Sequence, residues 1–80
     1  MSKAFFKEEK SAVSVYKIVE LIGTSQTSWE EAAKTAVDQA SKTLRNLRVA
    51  EVAELDLALS DDGKVEAYRA KVKVSLKHEG

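Results

Sequence analysis

Hydrophobic and polar residues alternate in three stretches of the chain and recur at helical spacing in a fourth. The first stretch, Val13 to Ile22, is rich in β-branched and aromatic residues and predicts a strand. Both faces of this strand are largely apolar, with Val13, Val15, Val19 and Leu21 on one face and Tyr16, Ile18 and Ile22 on the other. A strand with one face in water alternates more cleanly, so we expect its second face to be covered by the chain itself or by a neighbouring subunit.

A helix is predicted to begin after Ser28. Ser28 and Glu31 form a capping box, in which the hydroxyl accepts from a first-turn amide and the carboxylate reaches back to the cap amide. Apolar residues then recur at three- and four-residue steps: Trp29, Ala32, Ala33, Ala36, Val37, Ala40, Leu44 and Leu47. This stripe predicts a helix of about twenty residues, whose alanines allow it to lie close to a sheet. Trp29 is interpreted as an anchor in a core or interface rather than a ring that stacks on a cofactor.

The segments 47–59 and 65–78 are predicted to form a hairpin around a two-residue turn at Asp62 and Gly63. This turn sets a register in which Asp61 faces Lys64. The same register pairs acid with base on the outer side, Asp56 with Arg69 and Glu54 with Lys71. On the inner side it pairs Leu57 with Tyr68 and Ala53 with Val72, and it places Val49 in the inward apolar row, in which Glu51 is the exception.

These elements predict an α+β protein of order β-α-β-β, in which a three-stranded antiparallel sheet partly wraps around one long helix. Residues 13–80 are expected to form a single domain and residues 1–12 a flexible N-terminal extension, whose Phe5 and Phe6 either cover a neighbour or are disordered. A chain of 80 residues buries a marginal core. With no Cys and one His, it lacks disulfides and an imidazole cluster, so we expect a symmetric homo-oligomer to stabilise it.

The charge pattern narrows the classes of partner. Thirteen basic and thirteen acidic residues give a net charge of zero, so no overall field attracts nucleic acid or a membrane surface. Residues 1–11 contain too short an apolar run for a signal peptide or a membrane span, and we expect a cytoplasmic protein. No nucleophile with a partnering base is recognisable, and the sequence does not predict an enzyme.

Three segments, VYKIVELIGTS, SWEEAAKTAVDQASKTLRNLRVAEV and GKVEAYRAKVKVSLK, resemble the dodecin family over residues 15–77. The resemblance rests on the GTS after the first strand, the helix, the AEV segment and the Tyr in the last strand. It implies a hollow homo-dodecamer, with trimers arranged in a sphere, that stores or sequesters a small ligand without catalysis. FMN or riboflavin is the ligand that the family implies.

The chain departs from the flavin-binding pattern at two positions. Val49 stands where flavin-binding members have a stacking Trp, and Arg69 stands where they have a Gln. Loss of stacking at two symmetry-related positions is expected to weaken flavin binding by roughly tenfold to a hundredfold or more. The chain thus resembles the branch without the stacking Trp, and a subset of dodecin-like proteins with this Val and Arg pattern is associated with calcium. The alternative to flavin storage is therefore a calcium-binding or structural dodecin-like shell without flavin.

Candidate site residues follow from the resemblance and from the hairpin. The residues expected to contact a ligand are Arg48, Val49, Glu54, Arg69 and Lys71. Salt-bridged surface or a subunit interface is the alternative interpretation of the charged members. For a metal, the sequence leaves the ligands undetermined, and the carboxylates of Glu51, Glu54 or Asp56 could gather at a symmetry axis around a hard cation such as calcium. Asp61, Asp62 and Gly63 lack the spacing of an EF-hand loop and are interpreted as a turn.

Overall fold

The computed structural model of the protein describes residues 13–78, which form three strands and one helix. The elements are β1 (Tyr16–Ser25), α1 (Trp29–Thr43), β2 (Leu47–Leu59) and β3 (Val65–Lys77). The strands form an antiparallel sheet in the order β1-β3-β2, so β3 is central. The predicted β-α-β-β fold is therefore confirmed. Phe5 and Phe6 lie outside the described residues.

Hydroxyl groups organise the connection between β1 and α1. The Ser28 hydroxyl accepts a hydrogen bond from the Glu31 amide at 3.0 Å, so this half of the predicted capping box is confirmed. The other half is wrong, because the Glu31 carboxylate accepts from the Ser25 hydroxyl at 2.5 Å. The amides of Thr27 and Ser28 donate to the Ser25 oxygen at 2.9 and 3.3 Å. The last residue of β1 thus takes the place that the sequence assigned to Glu31.

Two predicted boundaries shift. The helix has 15 residues instead of about twenty, because Leu44 is already extended (φ −112°, ψ 152°) and Asn46 has a positive φ of 62°. This turn directs Leu47 into β2. The first strand lies at Tyr16–Ser25 rather than at Val13 to Ile22, since its GTS segment continues the pairing with β3 down to Tyr68.

Alanines and valines form the core between α1 and the sheet. Ala32, Ala36 and Ala40 are buried on the helix, and three residues of β3 are buried opposite them: Ala70, Val72 and Val74. Gly23 lies beside Ala70 in the sheet, where a Cβ atom would stand 2.0 Å from the Ala32 carbonyl oxygen. Small residues on both surfaces therefore bring the helix close to β1 and β3, and the largest fully buried side chains are valines.

The pairing of β2 with β3 confirms three predicted pairs and corrects a fourth. Asp56 faces Arg69, Glu54 faces Lys71, and Leu57 faces Tyr68, as predicted. Val52 rather than Ala53 faces Val72, because the register shifts between Val52 and Glu54. A second shift occurs between Leu47 and Val49. Ala53 and Arg48 are thus extra residues in β2, as in β-bulges.

The hairpin turn is longer than the predicted pair of residues. The Ser60 amide donates to the Lys64 carbonyl at 2.8 Å, and the Gly63 amide donates to the Ser60 carbonyl at 2.9 Å. Three residues therefore lie between the paired ends, with Gly63 at a φ of 83°, and the predicted pairing of Asp61 with Lys64 is wrong. A further shift between Ala58 and Leu59 restores the predicted register from Ala58 back to Glu54.

Candidate functional site

The face of the sheet opposite α1, here called the outer face, consists of rows that cross all three strands. Directly opposed residues of an antiparallel sheet share a face, so the pairing defines each row. From one end of the sheet, in the order β1, β3, β2, the rows are Ile18, Ser75 and Val49; Glu20, Lys73 and Glu51; Ile22, Lys71 and Glu54; and Thr24, Arg69 and Asp56. An apolar end of the outer face therefore passes into a charged end.

The strongest ion pair of the outer face joins Arg69 and Asp56. The Arg69 guanidinium donates to both carboxylate oxygens of Asp56, from Nε at 2.7 Å and from Nη2 at 3.1 Å. The hydrogen bond from Arg69 lowers the pKa of the Asp56 carboxyl, and Asp56 raises the pKa of Arg69. In the next row the Lys71 ammonium lies 3.4 Å from a Glu54 carboxylate oxygen. Within one chain, these charges neutralise one another.

The structure places three of the five predicted ligand-contacting residues together. Glu54, Arg69 and Lys71 occupy adjacent rows of the outer face. Val49 also lies on this face, opposite Ser75, and 59% of it is exposed, so its predicted place in the inward row is wrong. The extra residue Ala53 is the physical reason, because it moves the side chains that precede it in β2, residues 49–52, to the face opposite the predicted one.

Val49 and Arg69 lie far apart in one chain. Ser75, the partner of Val49, is six residues from Arg69 along β3, which corresponds to roughly 20 Å in an extended strand. Arg48 is the extra residue beside Val49, and its guanidinium donates to the Leu47 carbonyl at 3.3 Å. A single planar ring therefore cannot touch Val49 and Arg69 of the same chain.

Two grooves border the open edge of β2. The larger, of about 520 Å³, lies between the start of α1 and β2 and is lined by Trp29, Glu30, Ala33, Val52 and Leu55. The smaller, of about 240 Å³, is lined by Val37, Leu47, Arg48, Val49, Ala50 and Val74. Ligand pockets usually enclose about 300 to 1,000 Å³, so the groove at Arg48 and Val49 is small for a whole ligand without a second wall.

Trp29 connects α1 to the hairpin. Its indole N–H donates to the Asp56 carbonyl at 3.1 Å, and its ring meets Tyr68 edge-on with centroids 5.1 Å apart. Trp29 is 37% exposed as a residue and lines part of the larger groove. These contacts support its interpretation as an anchor, since the polar edge of the indole is occupied and one side of the ring is packed.

The predicted cation ligands do not form a site within one chain. Among residues 13–78, no three side chains of His, Cys, Asp or Glu are grouped as metal ligands. Glu54 and Asp56 are engaged by Lys71 and Arg69. In the hairpin turn, the hydroxyl of Ser60 donates to the carboxylate of Asp62, and this bond lowers the pKa of Asp62. Asp62 thus takes part in the hydrogen bonding of the turn.

Sequence reasoning missed the contribution of β1 to the outer face. Ile18, Ile22 and Thr24 complete the rows of Val49, Glu54 and Asp56. The alternation within a single strand does not indicate which strand lies beside it in the sheet, and the apolar run places β1 three residues too early. The apolar second face of β1 was the available signal, since Ile18 and Ile22 are both more than half exposed there.

No helix within the part of the chain that the structure describes is both long and apolar enough to cross a membrane.

A protein-family model described as Dodecin matches residues 15–79. The calcium dodecin of Mycobacterium tuberculosis is 49% identical over 65 residues, covering 81% of this chain and 90% of that protein. The dodecin of Thermus thermophilus is 40% identical over 65 residues and covers 81% and 93% of the two chains.

The solved structures that are similar to this chain include further dodecins. A crystal structure of the Mycobacterium tuberculosis calcium dodecin, described as having a novel calcium-binding site, superposes with a TM-score of 0.72 at 48% identity. The match covers 82% of this chain and 93% of that one. A dodecin from Streptomyces coelicolor superposes with a TM-score of 0.77 at 30% identity, covering 86% and 97%.

Proposed function

Because the chain belongs to the dodecin family, we propose that twelve copies assemble into a hollow shell of trimers that stores or sequesters a small ligand. The observation that carries this proposal is the apolar row on the helix side of β2. Val52, Leu55 and Leu57 are each 41% or more exposed, although they continue the core formed by β3. A contiguous apolar surface of this kind is typical of a subunit interface.

Light scattering on the purified protein tests the assembly. Twelve chains of 8.8 kDa give a particle of about 106 kDa, which we expect at micromolar protein. Leu55→Asp places a charge in the apolar row and is expected to dissociate the particle. Thr35→Asp, on an exposed position of α1, is the matched control and should leave the mass unchanged. A wild-type mass of one chain that persists at high concentration would refute the shell.

The ligand site is proposed to lie between subunits. Val49 and Arg69 are roughly 20 Å apart within one chain, and the groove beside Val49 is small, so a ligand that meets both residues needs two copies. Val49 offers no aromatic face for a flavin ring. The outer face offers alternating acid and base instead, a surface suited to polar groups of the ligand.

Quenching of flavin fluorescence measures flavin binding at this proposed site. Wild-type protein is expected to quench FMN or riboflavin weakly, and Val49→Trp combined with Arg69→Gln should bind at least about tenfold more tightly, because ring stacking is restored. Val49→Leu with Arg69→Gln is the matched control without a ring. Equal quenching by the two double variants would show that position 49 does not contact the flavin.

Calcium is a second candidate ligand, favoured by the similarity to a calcium dodecin. Glu51, Glu54 and Asp56 lie on the outer face of β2, which is an edge strand of the sheet. A calcium site would need carboxylates from several subunits. Within one chain the three acids face basic residues on β3, namely Lys73, Lys71 and Arg69.

Calorimetric titration with calcium, repeated on Glu51→Gln, tests this second candidate. We expect heat and a rise in melting temperature for the wild type and neither for the variant. Asp38→Asn, an exposed acid on α1 paired with Lys34, is the control and should bind as the wild type does. If titration of the assembled wild type with calcium gives no heat, calcium is not a ligand of the shell. We propose no catalysis for either ligand.

A further inference from the structure

The described residues carry equal numbers of acidic and basic side chains, but the two signs are concentrated at opposite ends of the molecule. In the middle they are matched. On α1 the Lys34 ammonium lies 3.2 Å from an Asp38 carboxylate oxygen, and on the outer face Lys73 lies between Glu20 and Glu51. The ion pairs between β2 and β3 complete this matched region. The charges that remain lie at the two ends.

One end, here called the basic end, lies where β1 begins, β3 ends and α1 leads into β2. Leu76 faces Lys17 and Leu47, and the Lys77 amide donates to the Asn46 carbonyl at 3.0 Å, so these segments meet. Residues 1–12 and 79–80, which flank the described part of the chain, contain equal numbers of Lys and Glu and add no net charge. The basic end carries Lys17, Lys42, Arg45, Arg48 and Lys77.

The opposite end, here called the acidic end, consists of the start of α1 and the hairpin turn. The turn extends past the last residue of β1, because Ser25 pairs with Tyr68 and the turn residue Lys64 lies four residues farther on, roughly 10 Å away. Lys64 is the one base at this end among the described residues. The acids there are Glu30, Glu31, Asp61, Asp62 and Glu66.

The dipole of α1 explains only part of this separation. Acids in the first turn of a helix and a base such as Lys42 in its last turn stabilise the helix itself. Asp61 and Glu66 belong to the hairpin, and Lys17 and Lys77 belong to β1 and β3, so the helix dipole does not account for their placement. A second cause must act on the strands.

The two ends cannot neutralise each other within one chain. Arg45 precedes β2 and Asp61 follows it, so the 13 residues of the strand hold them roughly 40 Å apart. A two-fold contact between like ends would bring charges of the same sign together, whereas a head-to-tail contact brings acid to base. The acidic end also has apolar surface for such a contact, since Leu59 and Val65 are 58% and 52% exposed.

We infer that the acidic end of one subunit contacts the basic end of another subunit, head to tail. This inference rests on the proposed shell and names a contact that holds it together. Val49 and Arg69 lie on the outer face and belong to neither end, so the proposed ligand site stays accessible.

Reversal of charge tests the contact by light scattering. Lys42→Glu with Arg45→Glu makes both ends acidic and should reduce the particle to roughly half of its mass or less in about 50 mM salt, where screening is weak. Lys34→Glu with Thr35→Glu, at exposed positions in the middle of α1, is the control and should leave the mass unchanged. Adding Asp61→Lys and Glu66→Lys to the first variant exchanges the two signs and should restore the particle.

The outcomes separate the contact from the shell. A wild-type mass of one chain would refute both. A wild type of twelve chains that the first reversal leaves intact would overturn the head-to-tail contact and leave the shell standing. Failure of the exchanged variant to reassemble, although circular dichroism shows it folded, would also overturn the contact, since the exchange keeps any effect of the reversed charges on α1 itself.

Engineered cysteines locate the contact directly, because the natural chain has no Cys. A disulfide needs Cα atoms within about 7 Å, so Arg45→Cys with Asp61→Cys can cross-link only between copies. Mild oxidation should give covalent oligomers on a non-reducing gel. Thr35→Cys with Asp61→Cys and Arg45→Cys alone are the controls and should stay monomeric on that gel. Dimers of Arg45→Cys alone would show that two basic ends meet, and this result, or no cross-link in the first pair, would overturn the inference.

Discussion

Gly23→Ala is expected to cause a large loss of stability, because the helix backbone lies directly against this position. A Cβ atom at this position would lie 2.0 Å from the Ala32 carbonyl oxygen and 3.1 Å from the Ala36 Cβ. The first atom belongs to the helix backbone, so α1 must move by about 1 Å or more to restore an ordinary contact near 3 Å. Ala32 and Ala36 are buried against Val72, and moving the helix opens that core. Overpacking with loss of core contact is expected to lower the free energy of unfolding by about 3 kcal/mol.

Urea denaturation followed by circular dichroism measures this loss, at one fixed protein concentration because subunit association contributes to stability. Gly63→Ala is the matched control. Gly63 has a φ of 83°, and no atom lies within 4 Å of an added Cβ, so its substitution should cost only about 1 kcal/mol of backbone strain. If Gly23→Ala costs no more than Gly63→Ala, the close approach of α1 to β1 is not as described.

Three further substitutions test single contacts. Ser28→Ala removes the acceptor for the Glu31 amide and should destabilise by about 1 kcal/mol in urea, whereas Ser41→Ala on the same helix should change stability little. Trp29→Phe keeps a ring beside Tyr68 but removes the hydrogen bond to the Asp56 carbonyl. The free energy of unfolding, measured in urea by circular dichroism, should fall by about 1 kcal/mol. An unchanged urea midpoint would mean that this hydrogen bond does not stabilise the fold. Asp56→Asn tests the ion pair with Arg69. Folding lowers the pKa of Asp56 below its ordinary value of 3.8, so the ion pair stabilises the fold fully above that pH. This stabilisation is lost as the pH falls through the lower pKa of the folded state. The difference in melting temperature between wild type and Asp56→Asn should therefore shrink below about pH 4, and a constant difference would contradict the pairing.

Local signals in the sequence were sufficient for the element order and for most of the hairpin. The Ser28 hydroxyl caps the helix as predicted, and the acid-base pairs of Asp56 with Arg69 and Glu54 with Lys71 form as predicted. These features depend on residues a few positions apart or on one turn. Their physical basis is short-range, so a single sequence contains it.

Features that depend on distant segments were not predictable in the same way. The side chain of Ser25 competes for Glu31 because β1 continues to that residue, which only its pairing with Tyr68 makes clear. The turn at Asn46 ends α1 early because Leu47 pairs with Leu76. In both cases tertiary pairing overrides a helical or capping preference that is correct locally.

The bulges in β2 decide which chemistry the outer face can offer. Glu51 was out of phase in an otherwise apolar inward row, and this exception was the trace of an extra residue in the strand. With Ala53 as that residue, Glu51 turns outward to face Lys73 and Val49 turns outward to face Ser75. The second extra residue, Arg48, returns Leu47 to the helix side opposite Leu76. Two bulges thus place Glu51 and Val49 on the outer face while the flanking residues Leu47 and Leu55 lie on the helix side, which a regular strand of the same sequence could not do.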